Sequence, residues 1–570
     1  MSRARPRRER SAPRWVLPPV PELGVLAAFA LLLLFASPDV IGLWAFNGFR
    51  SVAPEARLLL VLLAGGAALL PLAPVRSRTL RFLVVAGAAL LLAFPLRERI
   101  HFLGDSQMRL RSIAAFSANL LGDSLREWTR GLDANPLDIA VNFLVPIGLN
   151  RLGLSVLDAV GWVSAAVALA FAAGLWRLGA RLAPPAELRF WLCAAVALSG
   201  AIEAFAGYAE SSGLLLAAAV WWWAEVFAPL GSRAQAVRTA AAWLVLFLVH
   251  RIGLVMLVPQ LARALGPPLE GDRPRFRRLL LALSLAGAAL AAGVLLAGTG
   301  IAQLEADWRN LLGGPAARPF LRLLTPLDAA SHLLLLAPLA LIAASLASSA
   351  VLRARIGRPE FKLLAAGALP LLPLAWLLPV GENGLGAQRD FDLNLLLGLT
   401  LSVAGGFLLA GLTGPRLRGA LACSLPVLML LAGSWIAVNA DEPASMRRAI
   451  GLASDPRMLA EPHRGALYVF LGQRAMDLGT PQLAGDYYDR AFEIGGNPRR
   501  ELLAAEAWVV AGDTAAARRS LARARSRGPL AADLERSAAL IEGLMPGDAT
   551  ATGPPPAAPA DSARRGPGPP

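Results

Sequence analysis

Residues 58–70, LLLVLLAGGAALL, decide the fold class of this chain. The stretch carries no charge, and its residues do not alternate between apolar and polar as the strands of a membrane β-barrel do. Comparable apolar stretches recur along most of the 570 residues. A run of about 20 such residues crosses the hydrocarbon core of a bilayer as an α-helix. The sequence therefore predicts an all-α, polytopic membrane protein.

The composition agrees with this fold class. Hydrophobic residues make up 56% of the chain and charged residues only 17%, which is more apolar than a soluble domain. The net charge of +15 comes almost wholly from arginine. In a membrane protein such a balance indicates basic loops on the cytoplasmic side, and no arginine-rich stripe with interleaved aromatic residues indicates nucleic-acid binding. Cys193 and Cys423 lie in apolar stretches and predict neither a disulfide framework nor a metal cluster.

Apolar runs predict about thirteen membrane spans, with Glu22–Phe46 as a retained first span rather than a cleaved signal. The predicted spans are residues 22–46, 58–75, 79–96, 155–176, 189–206, 211–228, 238–250, 252–265, 279–298, 331–352, 361–380, 393–413 and 419–438.

Basic residues are concentrated in every second connecting segment. These segments are residues 1–21, 74–81, 177–189, 229–238, 263–278, 353–362 and 414–418. A cytoplasmic basic N-terminus, residues 1–21, places all of them in the cytoplasm and makes 22–440 a transmembrane domain. The arginine, alanine and proline excess suggests a GC-rich bacterial genome, and hence the bacterial inner membrane.

The remaining segments then lie on the outer face, including everything after about residue 439. The longest outer loop within the membrane domain is 97–154, whose apolar residues recur at helical spacing between charges. This pattern predicts amphipathic helices along the outer membrane surface. The shorter outer segments are residues 207–210, 299–330 and 381–392.

The C-terminal part, residues 441–545, lacks long apolar runs and predicts short amphipathic helices. Residues 484–496 align with 517–529 at an offset of 33 residues, and Gly479 and Gly512 recur at that offset, as do Ala491 and Ala524. This pattern resembles tetratricopeptide repeats, helical hairpins of about 34 residues that present protein-binding surfaces. Residues 546–570, rich in proline, alanine and glycine, predict a disordered tail.

Five small polar clusters interrupt the apolar stretches, and the charge count places all of them on the outer face. They are Asp105, Tyr208 with Glu210, His250 with Arg251, Asp307, and Arg389 with Asp390, Phe391 and Asp392. Ionisable groups at membrane depth are expensive, so their convergence on one face from distant segments indicates a shared site.

Four of the five clusters also have a structural interpretation. Asp105 could cap a helix over Gln107–Phe116, and the Arg389–Asp392 run could be a solvated span end. His250-Arg251 fits a re-entrant or hairpin tip, or an interfacial arginine beside a structural histidine. Tyr208 and Glu210 could anchor a tight turn at Gly207, and Trp221–Trp223 fits an aromatic belt.

The order of these features resembles the integral-membrane glycosyltransferases of the GT-C superfamily. Asp105 follows an early span, surface helices come next, and Asn135-Pro136-Leu137 leads to the span in residues 149–182, LNRLGLSVLDAVGWVSAAVALAFAAGLWRLGARL. The resemblance covers roughly residues 79–440, with two extra spans ahead of it. It implies transfer of a sugar from a polyprenyl-phosphate carrier to an acceptor at the outer face.

The resemblance further implies that Asp105 is the general base, although Ser106 follows it where many relatives have a second acid. A carboxylate can take the proton of the attacking hydroxyl, and arginine can stabilise the leaving phosphate. Arg389 and Arg251 are the candidate phosphate contacts. The remaining predicted substrate contacts are His250, Tyr208, Glu210, Asp307, Asp390 and Asp392.

No cofactor and no metal ligand set are predicted, since the lipid-linked sugar is the donor substrate, although the sequence leaves a divalent metal requirement open. The predicted partners are membrane lipid, the polyprenyl-phosphate sugar and a protein bound through the C-terminal repeats.

A transporter remains possible, although the sequence shows no inverted pair of broken spans beyond the His250 hairpin. Two further alternatives remain at this stage. One is a glycan ligase or polymerase of the O-antigen type, which typically depends on a large late outer loop. The other is a non-enzymatic membrane scaffold whose repeat domain binds protein partners. Truncation after Asn439 would abolish the function of a scaffold, and alanine at Asp105 would leave it intact.

Overall fold

The computed structural model describes residues 45, 47–73, 75–101, 103–104, 106–118, 135–313, 324–345, 350–373, 391–456, 459, 461–526 and 528–545. For 47, 297–313, 324–327 and 350 only the backbone is described. The described part of the chain is helical and contains no strand, which confirms the all-α prediction. It divides into two compact units, Met1–Leu467 and Tyr468–Pro570.

The first unit consists of α-helices joined by short turns and by 3-10 or π-helical segments. Its α-helices are Asn47–Ser51, Pro54–Ala67, Arg78–Ala93, Ser106–Ala118, Pro136–Asp138, Val145–Arg151, Val156–Leu182, Arg189–Ala197, Ser212–Val226, Arg233–Val249, Leu257–Leu265, Pro274–Gly313, Leu324–Leu336, Pro338–Ser345, Ala350–Ile356, Pro359–Ala368, Leu395–Leu409, Gly414–Ala440 and Glu442–Ser454. The 3-10 segments are Leu70–Leu72, Gly200–Phe205, Arg251–Met256 and Phe391–Asn394, and Ile139–Leu144 is π-helical.

Serine residues begin several of these helices. The Ser155 hydroxyl accepts the backbone N–H of Asp158 at 3.1 Å, Ser232 accepts that of Gln235 at 3.2 Å, and Ser77 accepts that of Leu80 at 3.2 Å. Each serine satisfies one of the N–H groups that a helix start leaves without a partner. The polar residues at the edges of the apolar runs therefore fix where the helices begin.

Five helical segments of the described chain are long and apolar enough to cross a membrane. They are Pro54–Leu72, Val156–Leu182, Pro274–Leu296, Phe391–Leu409 and Gly414–Ala440. A sixth results if Asp328–Leu336 and Pro338–Ser345, which meet at 88°, count as one broken span. The thirteen spans inferred from the sequence stay a prediction, and the first of them, 22–46, lies almost wholly outside the described residues.

Several of the other predicted spans are interrupted helices. The predicted span 189–206 consists of the α-helix Arg189–Ala197 and the 3-10 segment Gly200–Phe205. The chain reverses at His250. The reversal brings Gly253 back to Trp243, whose indole N–H donates to the Gly253 carbonyl at 3.2 Å. In contrast, the predicted loop 299–330 is helical as far as Gly313, so Asp307 lies within the 40-residue helix Pro274–Gly313.

The helical bundle has two polar ends. One end, called the basic end, consists of Arg177, Glu225, Arg238, Arg263 and Asp272. There Glu225 pairs with Arg177 and Arg238, and Asp272 pairs with Arg263. The opposite end, here called the site end, includes the pair of Arg97 with Asp158 at 3.0 Å. Asp158 and Arg177 lie near opposite ends of the helix Val156–Leu182, whose 27 residues extend about 40 Å.

Large aromatic side chains fill the core between the two ends. Trp222, Trp223, Trp243 and Trp435 are all essentially inaccessible to solvent. The indole N–H of Trp222 donates to the side-chain oxygen of Gln260 at 3.0 Å, which satisfies its polar atom. The prediction of an aromatic belt at 221–223 is therefore wrong for Trp222 and Trp223, which are buried in the core. The local sequence does not show that other helices cover these two side chains.

The helix Glu461–Asp477 crosses the division between the units. The second unit continues with four helices, Pro481–Gly495, Pro498–Val510, Thr514–Ser526 and Ala532–Leu544. The glycines at the predicted offset, Gly479 and Gly512, both have positive φ, 69° and 79°. The two alanines at that offset, Ala491 and Ala524, are both fully buried. These matched environments agree with an internal repeat, whereas its assignment to the tetratricopeptide class stays a prediction.

Candidate functional site

The candidate site begins with an ion pair in the segment 97–154, which the sequence predicts to be an outer loop. Arg109, on the helix Ser106–Ala118, makes a bidentate contact with the carboxylate of Asp138 at 2.9–3.0 Å. Burial lowers the pKa of the Arg109 guanidinium, but Asp138 raises it by more, so this group stays charged. The amide of Asn142 donates to Asp138 at 2.8 Å and to the carbonyl of Glu210 at 3.2 Å. This network joins loop 97–154 to the predicted turn 207–210.

A second contact joins the same two segments next to Asp105. Gly104 has φ +51°, and a Cβ atom there would collide with the hydroxyl of Tyr208 and the carboxylate of Glu210. Only glycine permits this close approach without strain. Gly207, with φ +70°, makes the reversal that brings Tyr208 and Glu210 against the loop. The structure therefore places Tyr208 and Glu210 directly beside Gly104.

The His250-Arg251 tip lies at the same end. The backbone N–H of Arg251 donates to the side-chain oxygen of Asn135 at 3.0 Å, three residues before Asp138. The ring nitrogen Nδ1 of His250 accepts the N–H of Ile252 at 3.1 Å, which caps the following 3-10 segment. The Arg251 side chain is exposed, so its guanidinium is accessible from outside the bundle.

Phe391 and Asp392 approach from the later part of the chain. The hydroxyl of Ser212, two residues after Glu210, donates to the Asp392 carboxylate at 3.4 Å. The ring of Phe391 is completely buried and lies 5.9 Å from that of Tyr208, between ring centroids. Asp392 is thereby held beside the 207–212 turn.

Four of the five predicted clusters thus have a member, or a residue adjacent in sequence, at one end of the bundle. Asp105, Arg389 and Asp390 themselves lie outside the described residues. Asp307 lies on the helix Pro274–Gly313, and its side chain is not described.

A buried ionisable cluster beside the site was missed by the sequence analysis. Glu98, Glu203 and Arg448 are 1%, 0% and 3% exposed. Both carboxylates act electrostatically on the Arg448 guanidinium, which lies 3.9 Å above the Trp435 ring. Removing three charged groups from water costs several kcal/mol each without mutual compensation. Glu203, a carboxylate inside the apolar stretch 189–206, was the available signal.

This buried cluster supports the loop that leads to Asp105. The backbone N–H of Glu98 donates to the Ala206 carbonyl at 3.0 Å and that of Arg99 to the Asn439 carbonyl at 2.9 Å. The Glu98 carboxylate accepts the N–H of Leu103 at 3.1 Å. The backbone at Glu98 and Arg99 is therefore tied to two distant segments, and the backbone at Leu103, next to Gly104, is tied to the Glu98 side chain.

The described residues contain no group of three or more His, Cys, Asp or Glu side chains placed to hold a metal ion. No protein-family model matches the chain, and comparisons with curated proteins and with solved structures give no match either. The proposed function therefore rests on the geometry of the site itself.

Proposed function

We propose that this protein is an integral-membrane glycosyltransferase of the GT-C type. In this proposal about thirteen spans place the basic end in the cytoplasm and the site end at the outer face of a bacterial inner membrane. The observation that carries the proposal is the convergence of the 98–104 loop, the Tyr208–Glu210 turn, the Arg251 tip and Asp392 at one end of the bundle.

Asp105 is the proposed general base. It is covalently joined to Gly104, which packs against Tyr208 and Glu210. The acceptor hydroxyl attacks the anomeric carbon of the sugar and transfers its proton to the Asp105 carboxylate. A new bond forms between the anomeric carbon and the acceptor oxygen as the bond to the phosphate oxygen breaks. The polyprenyl phosphate leaves with the electron pair of that bond.

The developing charge on the leaving phosphate requires a cation, and Arg251 and Arg389 are the proposed contacts. Arg109 is a poor candidate because both of its terminal nitrogens are bonded to Asp138. Arg251 is exposed, and Asn135 fixes its backbone at 3.0 Å beside that ion pair. The tip therefore presents a guanidinium to a ligand from a fixed position.

The donor's apolar chain also needs a place to bind. A cavity of about 170 Å³ lies beside the Phe391–Asn394 segment. It is lined mainly by apolar side chains, with His332 and Asn394 as its polar members; the apolar ones include Leu333, Leu336, Leu372 and Leu397. Since Asp392 belongs to the same segment, we infer that a short part of the lipid chain occupies this cavity during transfer.

The C-terminal unit is proposed to be an extracytoplasmic tetratricopeptide-like domain that binds a protein partner or positions the acceptor. Between its helices Pro498–Val510 and Ala532–Leu544 lies a surface depression that combines Leu502, Leu534 and Ile541 with the charged residues Arg499, Glu506 and Asp533. Helical repeats bind partners through such mixed surfaces.

The catalytic proposal is tested by comparing lipid-linked sugars in extracts of cells that make the wild-type protein, the Asp105→Asn variant or no protein. Loss of a general base is expected to slow transfer about 10²–10⁴-fold, so the donor should accumulate in the variant as it does without the protein. Asp158→Asn serves as the matched control, because Asp158 is 44% exposed and its side-chain partners among the described residues are Arg97 and Ser155. Wild-type lipid profiles in the Asp105→Asn cells would refute the mechanism.

A further inference from the structure

At the basic end of the bundle, arginines are held in two different ways. Arg263 forms two contacts with the Asp272 carboxylate at 2.6 Å, and Arg177 pairs with Glu225. These positive charges have carboxylate counterions within the protein. Arg81 and Arg189 lie on the neighbouring helices Arg78–Ala93 and Arg189–Ala197, and in the described part of the chain neither has an ion-pair partner.

Arg81 and Arg189 are held instead by one indole ring. The guanidinium carbon of Arg81 lies 4.4 Å from the centroid of the Trp176 ring and that of Arg189 lies 5.3 Å from it. The two positive charges are therefore no more than about 10 Å apart, within the range of electrostatic interaction at physiological salt. The buried Nε of Arg189 has no hydrogen-bond partner among the described residues. Two cations this close together, one of them with an N–H donor that lacks a partner, would be stabilised by a bound anion.

The surroundings indicate what carries that anion. The helix Arg78–Ala93 exposes a continuous apolar surface around Arg81, with Leu80, Phe82 and Leu83 each 50–62% exposed. Such a surface suits acyl chains, and indole rings with arginines are typical of the level of the lipid head groups. Arg189 also begins its helix, so the partial positive charge of the helix N-terminus adds to the attraction for an anion.

We propose that Arg81, Trp176 and Arg189 form a binding site for an anionic phospholipid on the face of the membrane opposite the glycosyltransfer site. The two guanidinium groups bind the phosphodiester, and the acyl chains lie on the apolar surface of the helix Arg78–Ala93. This site is independent of the proposed sugar transfer, since it lies at the other end of the bundle. The expected ligand combines a negatively charged phosphate with a long apolar chain.

The site is tested by native mass spectrometry of the full-length protein released from bilayers of phosphatidylcholine and phosphatidylglycerol. An arginine beside an anionic lipid contributes about a fivefold preference, so both together contribute about thirtyfold. Arg81→Gln/Arg189→Gln is expected to lose about thirtyfold in retained phosphatidylglycerol relative to phosphatidylcholine, and each single variant about fivefold. The matched control is Arg78→Gln/Arg181→Gln, which removes the same charge from two exposed positions near the site. Arg78 lies on the same helix as Arg81, and Arg181 lies on the helix Val156–Leu182, which carries Trp176.

The control variant should keep the wild-type lipid preference. Equal losses in the two double variants would show a general surface attraction and overturn the proposal, as would unchanged retention in the Arg81→Gln/Arg189→Gln protein. The single variants decide the matter if the double variant fails to fold. Displacement of phosphatidylglycerol by inorganic phosphate would assign the site to free phosphate instead, because the acyl chains would then contribute nothing.

Discussion

The two ends of the helical bundle are built from the same residue types, arginine and carboxylate, but they balance them differently. At the basic end Asp272 accepts two hydrogen bonds from Arg263 and one each from the backbone N–H groups of Leu230 and Leu269. Burial raises the pKa of the Asp272 carboxyl, but these hydrogen bonds lower it by more, so the net pKa is below its ordinary value. This carboxylate is fully satisfied within the protein.

At the site end two buried carboxylates, Glu98 and Glu203, face one guanidinium, that of Arg448. The neighbouring Tyr208 and Glu210 pack against Gly104, and both act electrostatically on the Arg109 guanidinium. Clusters of buried ionisable groups that perturb one another are frequent at functional sites. The contrast supports a structural role for the basic end and agrees with the proposed catalytic role of the site end.

The largest effect on stability is expected from Asp272→Asn. This change leaves the guanidinium of Arg263, which is 1% exposed, without a carboxylate in the protein interior. Breaking one side of such a buried pair costs about 3–5 kcal/mol. Thermal unfolding of the purified protein should show this loss, while sugar transfer per folded molecule stays at the wild-type level.

The site-end pair of Arg97 and Asp158 provides the control for this prediction. Asp158 is 44% exposed, so Asp158→Asn should cost no more than about 1 kcal/mol. Equal destabilisation by the two asparagine variants would contradict the assignment of a structural role to the basic end. The double variant Arg263→Met/Asp272→Leu should recover most of the loss, because it removes both charges together.

The next largest effect is a loss of activity in Gly104→Ala. The new methyl group would collide with the side chains of Tyr208 and Glu210 and would displace either these proposed substrate contacts or the loop that carries Asp105. A displacement of about 1 Å in a catalytic group can cost about 10²-fold in rate. We expect a loss of that order in the rate at which lipid-linked donor is consumed in membranes.

Gly153→Ala separates this collision from backbone strain. Gly153 also has a positive φ, +98°, but nothing lies within 4 Å of a Cβ atom at that position. Both variants therefore carry the same kind of strain, about 1–3 kcal/mol, and only Gly104→Ala disturbs the site. A comparable loss of transfer in Gly153→Ala would mean that strain alone, and not the contact with Tyr208 and Glu210, explains the effect.

The sequence predicted the helical class and the reversal at His250, because apolar runs and the polar residues that interrupt them are local patterns. It did not predict the role of Arg448, which lies in a polar helix 245 residues after Glu203 in the chain. Contacts over that separation depend on how the helices pack. The buried Trp222 and Trp223 show the same limit, since a tryptophan at a membrane interface and one in a protein core have the same local sequence signal.

Glu501 in the second unit extends the comparison to a carboxyl group whose pKa is determined mainly by burial rather than by its ion pair. Burial raises the pKa of Glu501 to about 7, even though the guanidinium of Arg523 lies 3.3 Å away. The folded unit therefore keeps a proton that the unfolded chain releases at about pH 4.5. Because the folded state binds the extra proton, stability is expected to fall as the pH rises from about 4.5 to about 7. The sign is opposite to that for Asp272, whose contribution is lost as the pH falls.

Hydrogen exchange of the amides in the helix Pro498–Val510, corrected for the intrinsic effect of pH on exchange, measures this dependence. We expect protection to decrease across the window by the equivalent of about 1–2 kcal/mol, because solvent around this small unit screens part of the effect. Glu501→Gln should remove the dependence and raise protection at neutral pH. Asp533→Asn, at a position 51% exposed, should keep the wild-type pH profile. Protection that increases with pH in the wild type would show that Arg523 dominates, and Glu501 would then belong with the matched carboxylates of the basic end.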